Sequence, residues 1–167
     1  MHRSHADWMV EQRYPFNITA TLPPYWTERR LEIAVYDWKV RINREFLGHH
    51  WARQEGNQMD GIVVFERKPF PHAHMMLVPP NGKRSWDHFF LLAPMWFAPP
   101  FESELAHLFP KPVTKDGKMY IQRIQQTDAD FRRVGSYNFK EIEWFMDAAE
   151  RWKFIRQLEG RQVLLAK

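Results

Sequence analysis

The chain has 167 residues, which suffices for one domain, and an apolar fraction of 44% with an aromatic fraction of 16% excludes a disordered chain. It contains no cysteine, which excludes disulfides, thiolate metal sites and cysteine nucleophiles and is compatible with a cytoplasmic location. A net charge of +4 is compatible with polyanionic partners, and we expect neither a signal peptide nor a membrane segment because no apolar run is long enough for either.

The chain divides into a loose or peripheral arm (residues 1–14), a single domain (residues 15–160) and a short tail (residues 161–167). The domain begins with a strand predicted at residues 16–22, a β-branched alternating run that two prolines stop. By itself this strand indicates only a core element.

An amphipathic helix is predicted at residues 28–46, with Thr27 as its N-cap and Gly48 as its stop. Its apolar positions recur at helical spacing: Leu31, Val35, Trp38, Ile42 and Phe46. The opposite face is basic and includes Arg41 and Arg44. That face is either solvated or turned towards DNA, and the sequence leaves both readings open.

A β-hairpin is predicted next, from strands at residues 61–66 and 72–78 joined by a five-residue turn. His72 and His74 are two residues apart in a strand and therefore project from the same face. Glu66 ends the incoming strand opposite His72, on the histidines' face. Two imidazoles and one carboxylate leave coordination positions open for a phosphate oxygen and water, as a catalytic metal requires. The alternative is a solvated strand face with two incidental histidines.

The remaining chain is aromatic and proline-rich from residue 81 to residue 112, where we expect irregular structure and a short helix at residues 102–109. A strand is predicted at residues 118–125 and a long helix from a Ser136 cap through about Leu158. This order of elements predicts an α+β fold, with helices packed on one face of an antiparallel sheet that contains the hairpin, and it does not fix the order of the strands.

The motif Tyr137-Asn138-Phe139-Lys140 lies at the predicted start of that helix. In a first turn, Tyr137 and Lys140 lie on the same side. A phenol with a pKa of about 10 is a poor nucleophile. A nearby ammonium favours the phenolate, and a helix N-terminus favours a bound phosphate. Taken alone, the motif is more often a packed tyrosine beside a solvated lysine.

The ordered set of motifs resembles the HUH endonuclease superfamily, above all the replication initiators of rolling-circle plasmids and phages. That family has an apolar, Thr-containing first strand, a His-hydrophobe-His strand and a downstream Tyr-x-x-Lys helix. The matching segments here are FNITATL, HAH and YNFK, and INREFLG is similar to a segment of phage-type initiators. The resemblance covers the chain from about Phe16 to Leu158, and it implies that the hairpin lies at the centre of the sheet.

The resemblance implies a metal-dependent, sequence-specific endonuclease that nicks single-stranded DNA. Glu66, His72 and His74 would be ligands of Mg²⁺ or Mn²⁺. Tyr137 would attack the scissile phosphodiester and remain joined to the 5′-phosphate, with Lys140 as its electrostatic helper. The released 3′-hydroxyl would prime rolling-circle replication. The implied partners are single-stranded DNA, at an origin or exposed in a hairpin, and host replication proteins. The candidate DNA-binding residues are Arg41, Arg44, Arg132 and Arg133.

The chain departs from the family pattern in two places. Ala73 is smaller than the usual bulky apolar residue, and Glu141 stands where a second tyrosine would complete a Tyr-x-x-x-Tyr pair. We therefore expect a one-tyrosine enzyme, in the role of a minimal initiator, a mobilisation relaxase or a small transposase-like nuclease. Two alternatives belong to other classes: a non-catalytic module that binds single-stranded nucleic acid, and a metal phosphohydrolase that uses a bound water.

Overall fold

The structure, a computed structural model, describes residues 5–98, 113–114, 116–139 and 152–158. Its centre is a five-stranded sheet in which every neighbouring pair of strands is antiparallel. In chain order the strands are β1 (Phe16–Thr21), β2 (Asp60–Glu66), β3 (His72–Val78), β4 (Lys118–Arg123) and β5 (Trp152–Phe154). Their order across the sheet is β4-β1-β3-β2-β5, so the predicted hairpin lies at the centre.

Four α-helices lie in the described part of the chain: α1 (His5–Gln12), α2 (Glu28–Leu47), α3 (Trp86–Phe97) and α4 (Asp128–Phe139). Short 3₁₀ turns occupy Trp51–Arg53, Glu55–Asn57 and Ile155–Gln157. The fold is thus the α+β arrangement that the sequence predicts, but its helices cover both faces of the sheet, whereas the sequence predicted one covered face. None of the described helices is both long enough and apolar enough to cross a bilayer.

Helices α2 and α3 cover one face of the sheet. Phe16, Ile18 and Ala20 alternate along β1 and are all buried in this layer, as period-2 side-chain spacing requires. The indole Nε1 of Trp38 donates a hydrogen bond to the Ala93 carbonyl oxygen at 2.9 Å, which joins α2 to α3 beneath the sheet.

Helices α1 and α4 pack on the opposite face. Ile62 and Val64 of β2 and Met76 of β3 are buried there against Phe131 and Val134 of α4. Because apolar layers cover both faces, β2 is buried along nearly its whole length. Helix α1, which packs on α4, occupies most of the segment for which the sequence suggested a loose or peripheral arm.

Helix α2 and the hairpin lie where the sequence predicts them. The Thr27 hydroxyl accepts a hydrogen bond from the Arg30 backbone N–H at 3.3 Å, and Gly48, with φ of 80°, ends the helix by donating its N–H to the Arg44 carbonyl oxygen. In the hairpin Glu66 is the cross-strand partner of His72, which confirms the predicted register.

The prediction for residues 81–112 missed a helix. Ser85 caps α3 by accepting a hydrogen bond from the His88 backbone N–H at 3.2 Å, and the helix continues past Pro94 to Phe97. A proline inside a helix removes a hydrogen bond to the residue four positions earlier, so it is a strong breaker signal in sequence. Burial of Phe89, Ala93 and Phe97 outweighs it here. The helix predicted at residues 102–109 lies outside the described residues.

The prediction of a long helix from Ser136 to Leu158 is wrong. Helix α4 begins eight residues earlier, where the Thr127 hydroxyl accepts a hydrogen bond from the Asp130 backbone N–H at 3.2 Å. Trp152–Phe154 form a strand because β2 offers them a partner edge, with Trp152 opposite Val64. Residues 140–151, and with them Lys140, lie outside the described residues, as does the tail at 161–167.

Lys39 is a buried cation on α2, with 6% of its surface exposed. Its Nζ donates a hydrogen bond to the Ile155 carbonyl oxygen at 3.2 Å and lies 4.8 Å from the centre of the Tyr36 ring. Burial lowers the pKa of Lys39 to about 8, because the charged amine loses its hydration.

Lys39→Met is predicted to change how stability depends on pH. Between the folded pKa of about 8 and the unfolded value of 10.5, the unfolded chain holds a proton that the folded chain has released. The free energy of unfolding of the wild type therefore rises with pH across this window, and Lys39→Met should lack that contribution. Urea denaturation at several pH values measures it. The exposed Lys83, changed to Met, is the control and should keep the wild-type slope; an equal slope in Lys39→Met would contradict the prediction.

Candidate metal centre

Glu66 and His72 face each other across the last residue pair of the β2–β3 hairpin. The Nε2 atom of His72 lies 2.8 Å from Oε2 of Glu66. Two residues along β3, His74 projects from the same face, and its Nε2 lies 3.9 Å from Oε1 of Glu66. The three side chains predicted from sequence to share a metal shell therefore lie together.

The donor atoms of these three residues lie within 4.8 Å of one another. Glu66 and His74 are 2% and 4% exposed, and His72 is half-buried. A cluster of this geometry could hold a metal ion. Imidazole and carboxylate donors together form a set that can bind a divalent metal ion.

Both histidines are oriented through their other ring nitrogen. Nδ1 of His72 lies 2.8 Å from the Phe70 carbonyl oxygen, to which it can only donate. Nδ1 of His74 lies 3.1 Å from the Thr19 hydroxyl oxygen. When the proton of a neutral ring is on Nδ1, the lone pair of Nε2 can bind a metal, which is the arrangement that a metal-ligating histidine needs.

Tyr137 lies beside this cluster. Its ring packs edge-on against the His74 ring, with the ring centroids 5.4 Å apart, and 53% of its surface is exposed. The next residue, Asn138, is buried and donates from Nδ2 to Oδ1 of Asn17 at 2.9 Å, which holds α4 against β1. The structure thus brings Tyr137 to the centre by tertiary packing.

The predicted position of Tyr137 within its helix is wrong. Tyr137 is the tenth residue of α4, whereas the sequence indicated a first-turn residue. The N-terminus of α4 lies more than two turns away, and its positive end therefore contributes nothing to a phosphate at Tyr137, because that effect fades beyond the first turn. Lys140 lies outside the described residues.

The four arginines proposed for DNA binding lie in two layers. Arg132 and Arg133 are exposed on α4, in the layer that carries Tyr137, and Nη2 of Arg133 pairs with Oδ1 of Asp130 at 2.6 Å. Arg41 and Arg44 lie on α2, which packs on the opposite face of the sheet. The fold does not bring the α2 pair to the metal centre.

Several polar residues on the same sheet face were not singled out from sequence. Thr19 lies between His74 on β3 and Tyr120 on β4, and Thr21 lies between His72 and Lys118. Tyr120 is 63% exposed on this open end of the face. The alternation of polar residues along β1 was the available signal, but only the strand order shows what they neighbour.

Comparison with protein-family models, with curated proteins and with solved structures finds no significant match to this chain.

A metal-binding experiment tests the cluster directly. Mn²⁺ should raise the melting temperature of the wild type and EDTA should reverse the effect, because binding to the folded state alone stabilises by about 2.7 kcal/mol at 100 times Kd. His72→Gln keeps a polar side chain of similar size and should abolish the shift. His50→Gln, the same change at an exposed histidine after α2, is the control and should respond like the wild type. If Mn²⁺ raised the melting temperature of His72→Gln as much as that of the wild type, the assignment of these residues as a metal centre would be wrong.

Proposed function

We propose that this chain is a metal-dependent endonuclease that nicks single-stranded DNA through Tyr137 and so starts rolling-circle replication. The observation that carries the proposal is the edge-on contact between the rings of Tyr137 and His74, with centroids 5.4 Å apart. It sets an exposed phenol beside two imidazoles and a carboxylate that could hold a divalent ion. The resemblance to HUH endonucleases supports the same reading.

The proposed reaction is a transesterification at one phosphodiester. The Tyr137 phenol oxygen attacks phosphorus, the bond from phosphorus to O3′ breaks, and the new bond joins Tyr137 to the 5′-phosphate. The proton lost by the phenol is balanced by the one that O3′ gains as a free 3′-hydroxyl. When bound, the divalent ion would polarise a non-bridging phosphate oxygen and help to orient the phosphate. Glu66, His72 and His74 are the residues that would hold that ion.

The surface around the centre favours a single strand as the substrate. Tyr120 is exposed on β4 and offers a ring on which an unpaired base could stack, and Lys118 is exposed two residues away on the same face. Arg132 and Arg133 are exposed on α4, in the layer that carries Tyr137, and offer further cations to a phosphate backbone. Stacking requires bases that are not paired, so these side chains support single-stranded DNA over a duplex.

A metal phosphohydrolase that uses water as the nucleophile is the second candidate. An ion held by the same three side chains could activate a water molecule, and the exposed surface at Tyr137 gives water access to the centre. The two reactions differ in their products. A tyrosine nucleophile leaves the protein covalently joined to DNA, whereas water leaves the protein unmodified.

Tyr137→Phe is predicted to bind DNA normally and to form no covalent adduct, because the change keeps the ring packed on His74 and removes only the attacking oxygen. The measurement is a denaturing gel of protein with labelled single-stranded origin DNA and Mn²⁺. Tyr120→Phe is the matched control and should form the adduct.

Three other outcomes would point to a different nucleophile or a different function. Loss of the adduct in Tyr120→Phe alone would move the nucleophile to Tyr120 within the same enzyme class. Metal-dependent cleavage with no adduct from any variant would establish the water-based reaction. DNA binding that tolerates EDTA, with no cleavage, would establish a non-catalytic binding module.

A further prediction separates the two arginine pairs. If Arg132 and Arg133 contact phosphates, changing both to Gln should reduce the slope of log affinity against log salt by about 1.4, at about 0.7 per contact on single strands. The matched change of Arg41 and Arg44 should leave the slope unchanged, since α2 lies on the other face of the sheet. Fluorescence anisotropy with labelled DNA measures both. If only the α2 variant showed a reduced salt slope, DNA would bind on the sheet face opposite Tyr137, and this would contradict the proposed site of cleavage.

A further inference from the structure

Strand β1 carries polar side chains in the interior of the sheet. It pairs with β3 on one side and β4 on the other, and Phe16, Ile18 and Ala20 fill the α2–α3 core. The intervening Asn17 and Thr19 face the layer of α4 and the metal centre. Each makes a hydrogen bond to a residue of the candidate site or to its immediate neighbour.

The first contact joins Thr19 to His74. They are cross-strand partners, and the Thr19 hydroxyl oxygen lies 3.1 Å from Nδ1 of His74. A neutral imidazole carries one proton on one of its two nitrogens, and the partner of one nitrogen decides the state of the other. If Nδ1 donates to the Thr19 oxygen, Nε2 keeps its lone pair for a metal.

The second contact joins Asn17 to the helix of the nucleophile. The Asn17 amide oxygen accepts a hydrogen bond from Nδ2 of Asn138 at 2.9 Å, and Asn138 is 1% exposed. Asn138 directly follows Tyr137, so this part-buried amide pair restrains the rotation of α4 at that position. Side chains project outwards from the helix axis. Rotation of α4 about its axis would therefore move the Tyr137 ring away from His74.

We propose that β1 is the positioning strand of the site. Thr19 presents Nε2 of His74 for metal binding, and Asn17 holds Tyr137 over the centre through Asn138. The proposal rests on the function proposed above and assigns two separable roles to one strand. Thr19 governs the affinity for the metal, and Asn17 governs the rate of attack once the metal is bound.

The Thr19 role is tested by titrating DNA-free full-length protein with Mn²⁺ in a calorimeter. Thr19→Val is close in shape and β-branched but lacks the hydroxyl, and should weaken Mn²⁺ binding by about 10- to 100-fold, the range for loss of an outer-shell partner. Thr19→Ser restores the hydroxyl and should bind within about threefold of the wild type. Should Thr19→Val not fold, Thr19→Ala takes its place with the same expectation.

The Asn17 role is tested by the rate of adduct formation at saturating Mn²⁺. Asn17→Leu keeps the approximate shape and removes the acceptor, and the displaced tyrosine should slow the reaction by up to about 100-fold. Its Mn²⁺ affinity should match that of the wild type. Should Asn17→Leu not fold, Asn17→Ala is measured in the same way, and circular dichroism verifies the fold of each variant.

The outcomes separate this inference from the proposed function. If the wild-type protein bound no Mn²⁺ and formed no adduct, the proposed function itself would be wrong. Wild-type protein that binds and cuts, together with Thr19→Val of unchanged Mn²⁺ affinity, would overturn only the role of Thr19. The same holds if Thr19→Ser is as weak as Thr19→Val, since the hydroxyl would then not be the cause. An unchanged adduct rate in the folded Asn17 variant would overturn the role of Asn17.

Discussion

The pairing of Glu66 with His72 at the end of the hairpin is the constraint on which the rest of the site depends. A slip of one residue between β2 and β3 would turn every side chain of one strand to the other face. If β3 were the strand that turned, His72 and His74 would enter the apolar layer under α2 and α3, where burying two imidazoles without hydrogen bonds would cost free energy. The observed register places His72 opposite Glu66 and keeps His74 on the same face, with 2.8 Å from His72 Nε2 to Glu66 Oε2 and 3.9 Å from His74 Nε2 to Glu66 Oε1. The register between β1 and β3 sets Thr19 against His74.

The sheet face that carries the site changes character along its length. At one end Ile62, Val64 and Met76 pack on Phe131 and Val134 of α4, and at the other end the face is formed by Glu66, His72 and His74. Helix α4 follows the same change, from the buried Phe131 and Val134 to Tyr137 at the polar end. Burying an acid and an imidazole costs free energy that an apolar packing would not. The polar end of the face is therefore the candidate site, while the apolar end supplies stability.

The sequence pattern predicted correctly those elements that are determined by residues close together in the chain. The spacing of His72 and His74 and the five-residue turn specified the hairpin and its register, and the caps Thr27 and Gly48 specified α2. The errors lie where distant contacts decide: α3 continues through Pro94 because its apolar side chains are buried, and Trp152–Phe154 form a strand because β2 has a free edge. Tyr137 reaches the centre through Asn138 and Asn17, which are 121 residues apart in the chain. No window of sequence contains that contact.

The central claim is that Tyr137 itself attacks the DNA, and peptide mapping of the covalent product tests it most directly. Trypsin should cleave after Arg133 and Lys140 and release the peptide at residues 134–140, which contains no other tyrosine; the peptide at residues 119–123 contains Tyr120. After nuclease digestion, mass spectrometry should find a nucleotide 5′-phosphate on the 134–140 peptide, and fragmentation should assign it to Tyr137. A nucleotide on the 119–123 peptide, or unmodified peptides from a preparation that has cleaved its DNA, would contradict the account.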